Sequence, residues 1–367
     1  MRQNADLGAR RFGALVRWGS RMRRATENDD VAARVGRRLT RRELLISGGV
    51  ALAVTVPVAG YLLRSELGSG VLPAPEAGSG PGVVLNSRSK WVYSVAFGSR
   101  DGVLAVGCDA GVELWNSQSR SVMRTLSTGA PVTAIAFAAD GNLVAGGSAS
   151  TPTKVWTVST GQQLATLDQS QDSAVTSLSF SPDGQFLAGG CMDHTVRVWK
   201  PLSGRLIAVL SGHTDVVAGV RFSPDSRTLA SSGKDLGVRL WDVPAVKPFG
   251  LLTSGFPMPP IDFSPDGKTL AVGGLDNSQK GTIQLWDVSR QEIRNTLGPH
   301  GDGVGALAFS AQGMLACGDD IALTIWNPTR ERVLCTRTVT DVVNALSFRP
   351  DGGVLAAGLS DGTVGLF

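Results

Sequence analysis

Two hydrophobic patterns divide the chain. Residues 44–63, LLISGGVALAVTVPVAGYLL, are twenty consecutive uncharged positions. From residue 82 onward the apolar positions come in short runs, such as TVRVW (195–199) and TIQLW (282–286), where they alternate with polar ones. An alternation of period two predicts half-buried β-strands. A charge-free run of twenty spans about 30 Å as a helix, the thickness of a bilayer's hydrocarbon core. Between the two lies SELGSGVLPAPEAGSG (65–80), whose composition reads as a linker. The pattern therefore predicts an arm over 1–43, a transmembrane helix or signal segment over 44–63, a linker over 64–81 and an all-β domain over 82–367.

The β domain is repetitive. One unit recurs about every 41 residues, marked by Phe97, Phe137, Phe180, Phe222, Phe263, Phe309 and Phe348. Each is followed at a similar distance by Trp115, Trp156, Trp199, Trp241, Trp286 or Trp326, and Phe367 stands at the seventh such place. After the Phe comes a turn: SPDG at 181–184 and 264–267, RPDG at 349–352, SPDS at 223–226 and AADG at 138–141. Pro presets φ at the second turn position and Gly takes the left-handed one. A small-residue strand follows, such as LAGG (187–190) or LAAG (355–358), then a β-branched strand ending on the aromatic. Six residues before that aromatic stands Asp109, Asp193, Asp235, Asp320 or Asp361, in the turn between those two strands. Blade two has Ser150 there, and blade five has the longer DNSQK (276–280) with Asp276.

With SGH (211–213), the weaker GPH (298–300) and the dipeptides Trp241-Asp242 and Trp286-Asp287, these units resemble the WD-repeat (WD40-type) family over about 82–367. The resemblance implies a seven-bladed β-propeller of four-stranded antiparallel blades. Outer strands are expected at 122–126, 163–167, 206–210 and 292–297. Blade seven has no such segment after Phe367, so GVVLNS (82–87) is expected to return as its outer strand and close the ring.

Charge adds a second division. Residues 1–64 hold thirteen Arg, no Lys and five acids, net +8, which leaves −4 for the remainder. Arginines crowd the N-terminal flank of the apolar run, so the positive-inside rule keeps the arm cytoplasmic and places the propeller outside. TRRELLI (40–46) resembles a twin-arginine export signal. An uncleaved single-pass anchor and a cleaved export signal both fit, and an inverted anchor with a cytoplasmic propeller is a third arrangement. RRFGALVRWGSRMRR (10–24) fits either an amphipathic segment on anionic lipid or a plain polar tail. An Arg-rich arm beside an apolar run is already explained by the membrane, so no nucleic acid is expected.

The resemblance also implies a hydrogen-bonded chain of His, Ser or Thr, turn Asp and Trp inside a blade. Blade four offers His213, Ser231 or Ser232, Asp235 and Trp241; blade six offers His300, Asp320 and Trp326 without a clear hydroxyl. A buried, self-satisfied network is a structural device and brings no exposed nucleophile, so no catalytic residue is assigned. Three His in three blades leave no metal site and no cofactor is expected. GDGVG (301–305) precedes a strand and does not open a helix, so it fails as a phosphate loop. Cys108, Cys191, Cys317 and Cys335 include no CxxC pair; the first three fall in non-adjacent blades and are expected as free thiols. Trp91, Tyr93, Val216, Met258 and Val342 lie at strand entries on one face and are candidate contacts for a protein or peptide. The sequence thus predicts a non-catalytic interaction scaffold, a monomeric propeller tethered to a membrane. The alternatives are a hydrolase or dehydrogenase in the channel, or an exported soluble propeller.

Overall fold

The S-P-D-G turns show how local chemistry sets the strands. Ser181 Oγ donates to Asp183 at 2.6 Å and accepts the Phe186 amide five residues on, while the Gly184 amide closes the turn on the Ser181 carbonyl. Ser223 with Asp225 and Ser264 with Asp266 repeat the arrangement. The closing position is left-handed, with φ of 71° at Gly184 and 70° at Gly267. Ser226 adopts φ 62° without being glycine, and its Oγ accepts the Asp183 amide of the preceding blade at 3.0 Å. A local strain is thereby coupled to an inter-blade bond.

The computed structural model describes residues 82–367 except 88, 100–101, 168–173, 276–279, 301–302 and 321, and only the backbone of 299 and 300. The arm, apolar run and linker expected over 1–81 lie outside the described residues. Among the described residues no helix is long and apolar enough to cross a membrane. The described residues form an all-β, seven-bladed propeller of four-stranded antiparallel sheets. Blades one to six each use four consecutive strands. In blade seven the order is Val343–Phe348, Leu355–Leu359, Thr363–Leu366, then Val83–Asn86. Val83 pairs with Leu366, Leu85 with Val364 and Asn86 with Thr363, so the segment at the front of the domain completes the last sheet.

The tryptophans make the ring. Within each third strand, alternate residues face the two neighbouring blades. Trp156 of blade two clusters with Val112, Leu114 and Leu126 of blade one. Trp241 clusters with Val196, Val198 and Leu210 of blade three, Trp286 with Val238, Leu240 and Leu252 of blade four, and Trp326 with Ile283, Leu285 and Leu297 of blade five. Phe367 takes the same place against Leu323 and Ile325 of blade six. Trp115 of blade one meets Val364 and Leu366 of blade seven, and Leu85 from the closing strand forms the outer wall of that socket. Each aromatic thus enters the face of the blade before it, and the seventh interface is completed at its outer side by the return of Val83–Asn86.

Inner strands add polar stitches. The Phe222 amide donates to Ser179 Oγ of blade three, and the Phe97 amide donates to Ser347 Oγ of blade seven. Asn344 Nδ2 reaches the Val92 carbonyl at 2.9 Å across the same closing interface.

The fourth strands carry an irregularity. Opposite each Trp of blades one to six the register with the outer strand slips by one residue. The extra residue is Met123, Leu164, Ile207, Phe249, Arg294 or Leu334. Such bulges break the exposed edge and re-aim one side chain.

Leu85 is 2% exposed and its strand neighbour Val84 is 46% exposed. Leu85→Ala is expected to destabilise the domain by about 2–4 kcal/mol through the emptied Trp115 socket, and Val84→Ala by under about 0.5 kcal/mol. Denaturant unfolding followed by Trp fluorescence checks this; equal costs would show that the strand closes the ring by backbone pairing alone.

Candidate interaction surface

Antiparallel order puts the entry to each first strand and the turn between second and third strands at the same end of every blade. The turn carboxylates organise that end. Asp193 accepts the Thr195 amide and hydroxyl and pairs with Arg197 at 2.8 Å. Asp361 accepts the Thr363 amide and hydroxyl and the Thr340 hydroxyl. Burial works to raise both carboxyls, and these donors together hold them below the ordinary value. Asp109 accepts the Tyr93 hydroxyl at 2.7 Å, and burial followed by that bond raises the phenol's pKa. In blade six Asp319, beside the expected Asp320, is buried and accepts the Ala322 amide at 2.6 Å. The turn runs from Gly318 to Ala322 and spaces its acid three residues, not two, from the amide it caps.

Blade four holds a continuous chain. Trp241 Nε1 donates to Ser231 Oγ at 2.8 Å, Ser231 lies 2.8 Å from His213 Nε2, and His213 Nδ1 lies 2.9 Å from Asp235 Oδ1. The Asp235 carboxylate only accepts, so a neutral His213 carries its hydrogen on Nδ1, and Ser231, which accepts from Trp241, gives its proton to Nε2. Burial lowers the His213 pKa below the ordinary 6.5 and outweighs the opposing pull of Asp235. Asp235 also accepts the Thr214 amide, which fixes the entry loop to the turn. Of the two candidate hydroxyls Ser231 is the member; Ser232 Oγ donates instead to the Pro259 carbonyl of blade five.

Other blades satisfy the indole differently. Trp115 donates to Glu113 Oε2 and Trp286 to Gln284 Oε1, both at 3.0 Å. Two residues before the aromatic is the same strand face, so alternation could have found these partners. In blade six Cys317 occupies the place of Ser231, two residues after the strand residue opposite the Trp. Burial raises its thiol pKa, and the nearby Asp319 carboxylate adds to the rise. The side chain of His300 lies outside the described residues. Among the described residues no three His, Cys, Asp or Glu side chains converge as metal ligands. All four cysteines are free, three of them buried.

A buried ion pair went unread in the sequence. Arg221 of blade four and Asp262 of blade five meet at 3.3 Å on adjacent inner strands, and Asp262 also accepts the Phe309 amide of blade six at 2.7 Å. Burial pushes the Asp262 carboxyl up to about 6, with Arg221 pulling the other way. Both occupy the residue before the repeat Phe, where Ser179 and Ser347 stitch other interfaces.

The candidate contact residues divide. Trp91 is 38% exposed, with Lys90 Nζ 5.9 Å from its ring centre. Val216, Met258 and Val342 are half-buried, and Met258, at φ 53°, donates its amide to the Gly233 carbonyl of blade four. Tyr93 spends its hydroxyl inside blade one, so only its ring edge is offered.

The chain carries WD40 repeats: the family model for the WD domain, G-beta repeat, matches residues 161–200, 204–242, 261–287 and 333–367. Two Arabidopsis thaliana proteins are similar over 112 residues. Cell division cycle 20.1, cofactor of APC complex, is 36% identical over 29% of this chain and 23% of its own length. Cell division cycle 20.5, also a cofactor of APC complex, is 35% identical over 29% of this chain and 24% of its own. The chain thus spans about a quarter of the length of these relatives.

Two outcomes follow for the buried polar groups. His213 binds its proton in the unfolded chain before the folded one, so its contribution is intact above about pH 6.5 and declines as pH falls. Asp262 has the opposite sign, since the folded chain takes up its proton first between about pH 6 and 3.8. His213→Gln should cost about 1–3 kcal/mol at pH 7, and the gap from wild type should narrow at pH 5, as read from denaturation midpoints. A constant gap would mean that folding leaves the His213 pKa unchanged, and a widening gap that the fold favours the imidazolium. For the ion pair, Arg221→Met or Asp262→Ser alone should cost about 3–5 kcal/mol, while the two together cost less than either single change. A double-mutant cycle measures it, and additive losses would refute the coupling.

Proposed function

We propose that the chain is a non-catalytic protein–protein interaction scaffold, a WD40 propeller held at a membrane by residues 44–63. The arm (1–43) stays cytoplasmic and the propeller stands outside. The observation that carries the scaffold reading is the commitment of the reactive groups. His213, Ser231 and Asp235 close on one another and on Trp241, and Asp109, Asp193, Asp319 and Asp361 cap turns. What remains at the entry end for a partner is side-chain surface, with Trp91 as its exposed aromatic. The similar Arabidopsis proteins are named as cofactors of a complex, which supports a protein or peptide as the partner class. The membrane reading rests on the charge-free run and its arginine-rich flank. TRRELLI favours a second reading of the same segment, a cleaved export signal.

Affinity capture from membranes with the full chain as bait, compared with Trp91→Ala, tests the interaction surface. The variant should keep its unfolding midpoint and bind its captured partner at least about thirtyfold more weakly. Equal capture would move the partner site elsewhere. Protease shaving of intact cells should cut the propeller; a protected propeller would overturn the outside placement, and a mature chain lacking residues 1–60 would favour the signal.

A further inference from the structure

The propeller's charge is sorted by radius. Residues 82–367 hold 22 basic and 24 acidic residues, yet the outer strands and the turns leading into them hold ten basic and four acidic. The sorting is strongest where the chain enters the ring. The outer segments of blades six (327–338), seven (82–87) and one (116–127) are consecutive on the rim and carry five arginines against one acid, Glu331. Arg120, Arg124, Arg330 and Arg332 are exposed. Among the bulged residues in this sector, Met123 is 54% exposed and Leu334 is 42% exposed, so each bulge aims an apolar side chain outward between arginines.

We propose that this rim sector lies edge-on against an anionic lipid bilayer. The inference rests on the membrane-anchor reading above and adds an orientation to it. Three observations select lipid as the occupant. First, the mixture of cations with single apolar side chains suits an interface where phosphates meet acyl chains. Second, the strand Val83–Asn86 is the outermost of its blade and Val83 pairs with Leu366, so a tether entering at residue 82 pulls on this sector from the end opposite the strand entries and Trp91. Third, the tether is short. Residues 65–80 of that composition reach about 20–25 Å, which places the sector at an effective concentration on the order of millimolar near the surface. A contact too weak to recruit the domain by itself is then sufficient to orient it. The entry end, with Trp91, is left facing sideways along the membrane and open to a partner.

The test is hydrogen–deuterium exchange on the full chain reconstituted into two vesicle types. One is phosphatidylcholine alone; the other contains about 30% phosphatidylglycerol, a composition that gives a negative surface potential. On the anionic vesicles at low salt, the outer strands Arg332–Thr338 and Ser121–Leu126 should exchange about tenfold more slowly, while Leu206–Ser211 of blade three is unchanged. The protection should disappear at about 0.5 M salt, where the screening length falls to a few Å. It should also disappear in the triple variant Arg120→Glu, Arg330→Glu, Arg332→Glu, whose unfolding midpoint confirms an intact fold. Equal protection on the two vesicles, protection of blade three alongside, or protection that survives the triple variant would overturn the proposal. Flotation with phosphatidylcholine vesicles at high salt reads the anchor separately. A chain that floats without sector-specific protection loses the orientation alone. A chain that does not float loses the anchor, and lipid-dependent protection at low salt then decides the rim contact by itself.

Discussion

Insertion of one aromatic side chain from each blade into the face of its predecessor is the contact on which the rest of the molecule depends. It is a heterologous interface, repeated with one hand, and such an interface either closes or runs on. A β-sheet of four strands cannot bury both faces alone, so each blade needs a neighbour on either side. Six of the interfaces are made by consecutive units. The seventh requires that Trp115 find a finished face on blade seven, and Leu85 supplies the part of that face the third strand cannot. The pairing of Val83–Asn86 with Thr363–Leu366 is therefore a packing requirement as much as a hydrogen-bonding one.

Once the aromatic is buried, its indole N–H must be satisfied, and the fold is permissive about how. A hydroxyl, a carboxylate and an amide serve in different blades. Each is a local solution to the same desolvation cost, on the order of 1–3 kcal/mol for a buried donor left without an acceptor. Blade four extends its solution to His213 and Asp235, which ties the entry loop to the turn. The same freedom holds at the inner strands, where serines stitch two interfaces and an arginine–aspartate pair another. Asp262 accepts the Phe309 amide as Ser179 accepts that of Phe222, and it meets Arg221 as well.

How much could be read from the sequence follows from which features are periodic. Phe and Trp recur because every interface needs them, so blade number, strand order and the closing strand were all accessible from spacing. Ser231 and Asp235 could be placed from the same alignment, although the choice between Ser231 and Ser232 needs the side chain's direction. Counting back from the Trp reaches Asp320 and passes over Asp319, because the hairpin from Leu315 to Trp326 is one residue shorter than that from Leu229 to Trp241. The Arg221–Asp262 pair lies 41 residues apart, one repeat, at a position occupied by Ala or Ser elsewhere; a column-by-column comparison would have exposed it. The bulges left no trace, because Met123 and Leu334 read as ordinary alternation and a register slip belongs to two strands at once.

The bulges also bear on how such a molecule divides its labour. An outer strand left straight would offer an unbroken row of amides and carbonyls to any passing strand. The slip opposite each Trp interrupts that row and turns one side chain outward, so protection of the edge and decoration of the rim are a single structural act. Inside, the reactive side chains are occupied by turns, indoles and inter-blade stitches. Side chains without such a duty are found at the entry end, as Trp91, and on the rim, as Met123 and Leu334. Blade seven, whose outer strand comes from the front of the domain and pairs without a slip, is where the two regimes meet. Its outer edge and the closure of the ring are decided by the same four residues, Val83–Asn86.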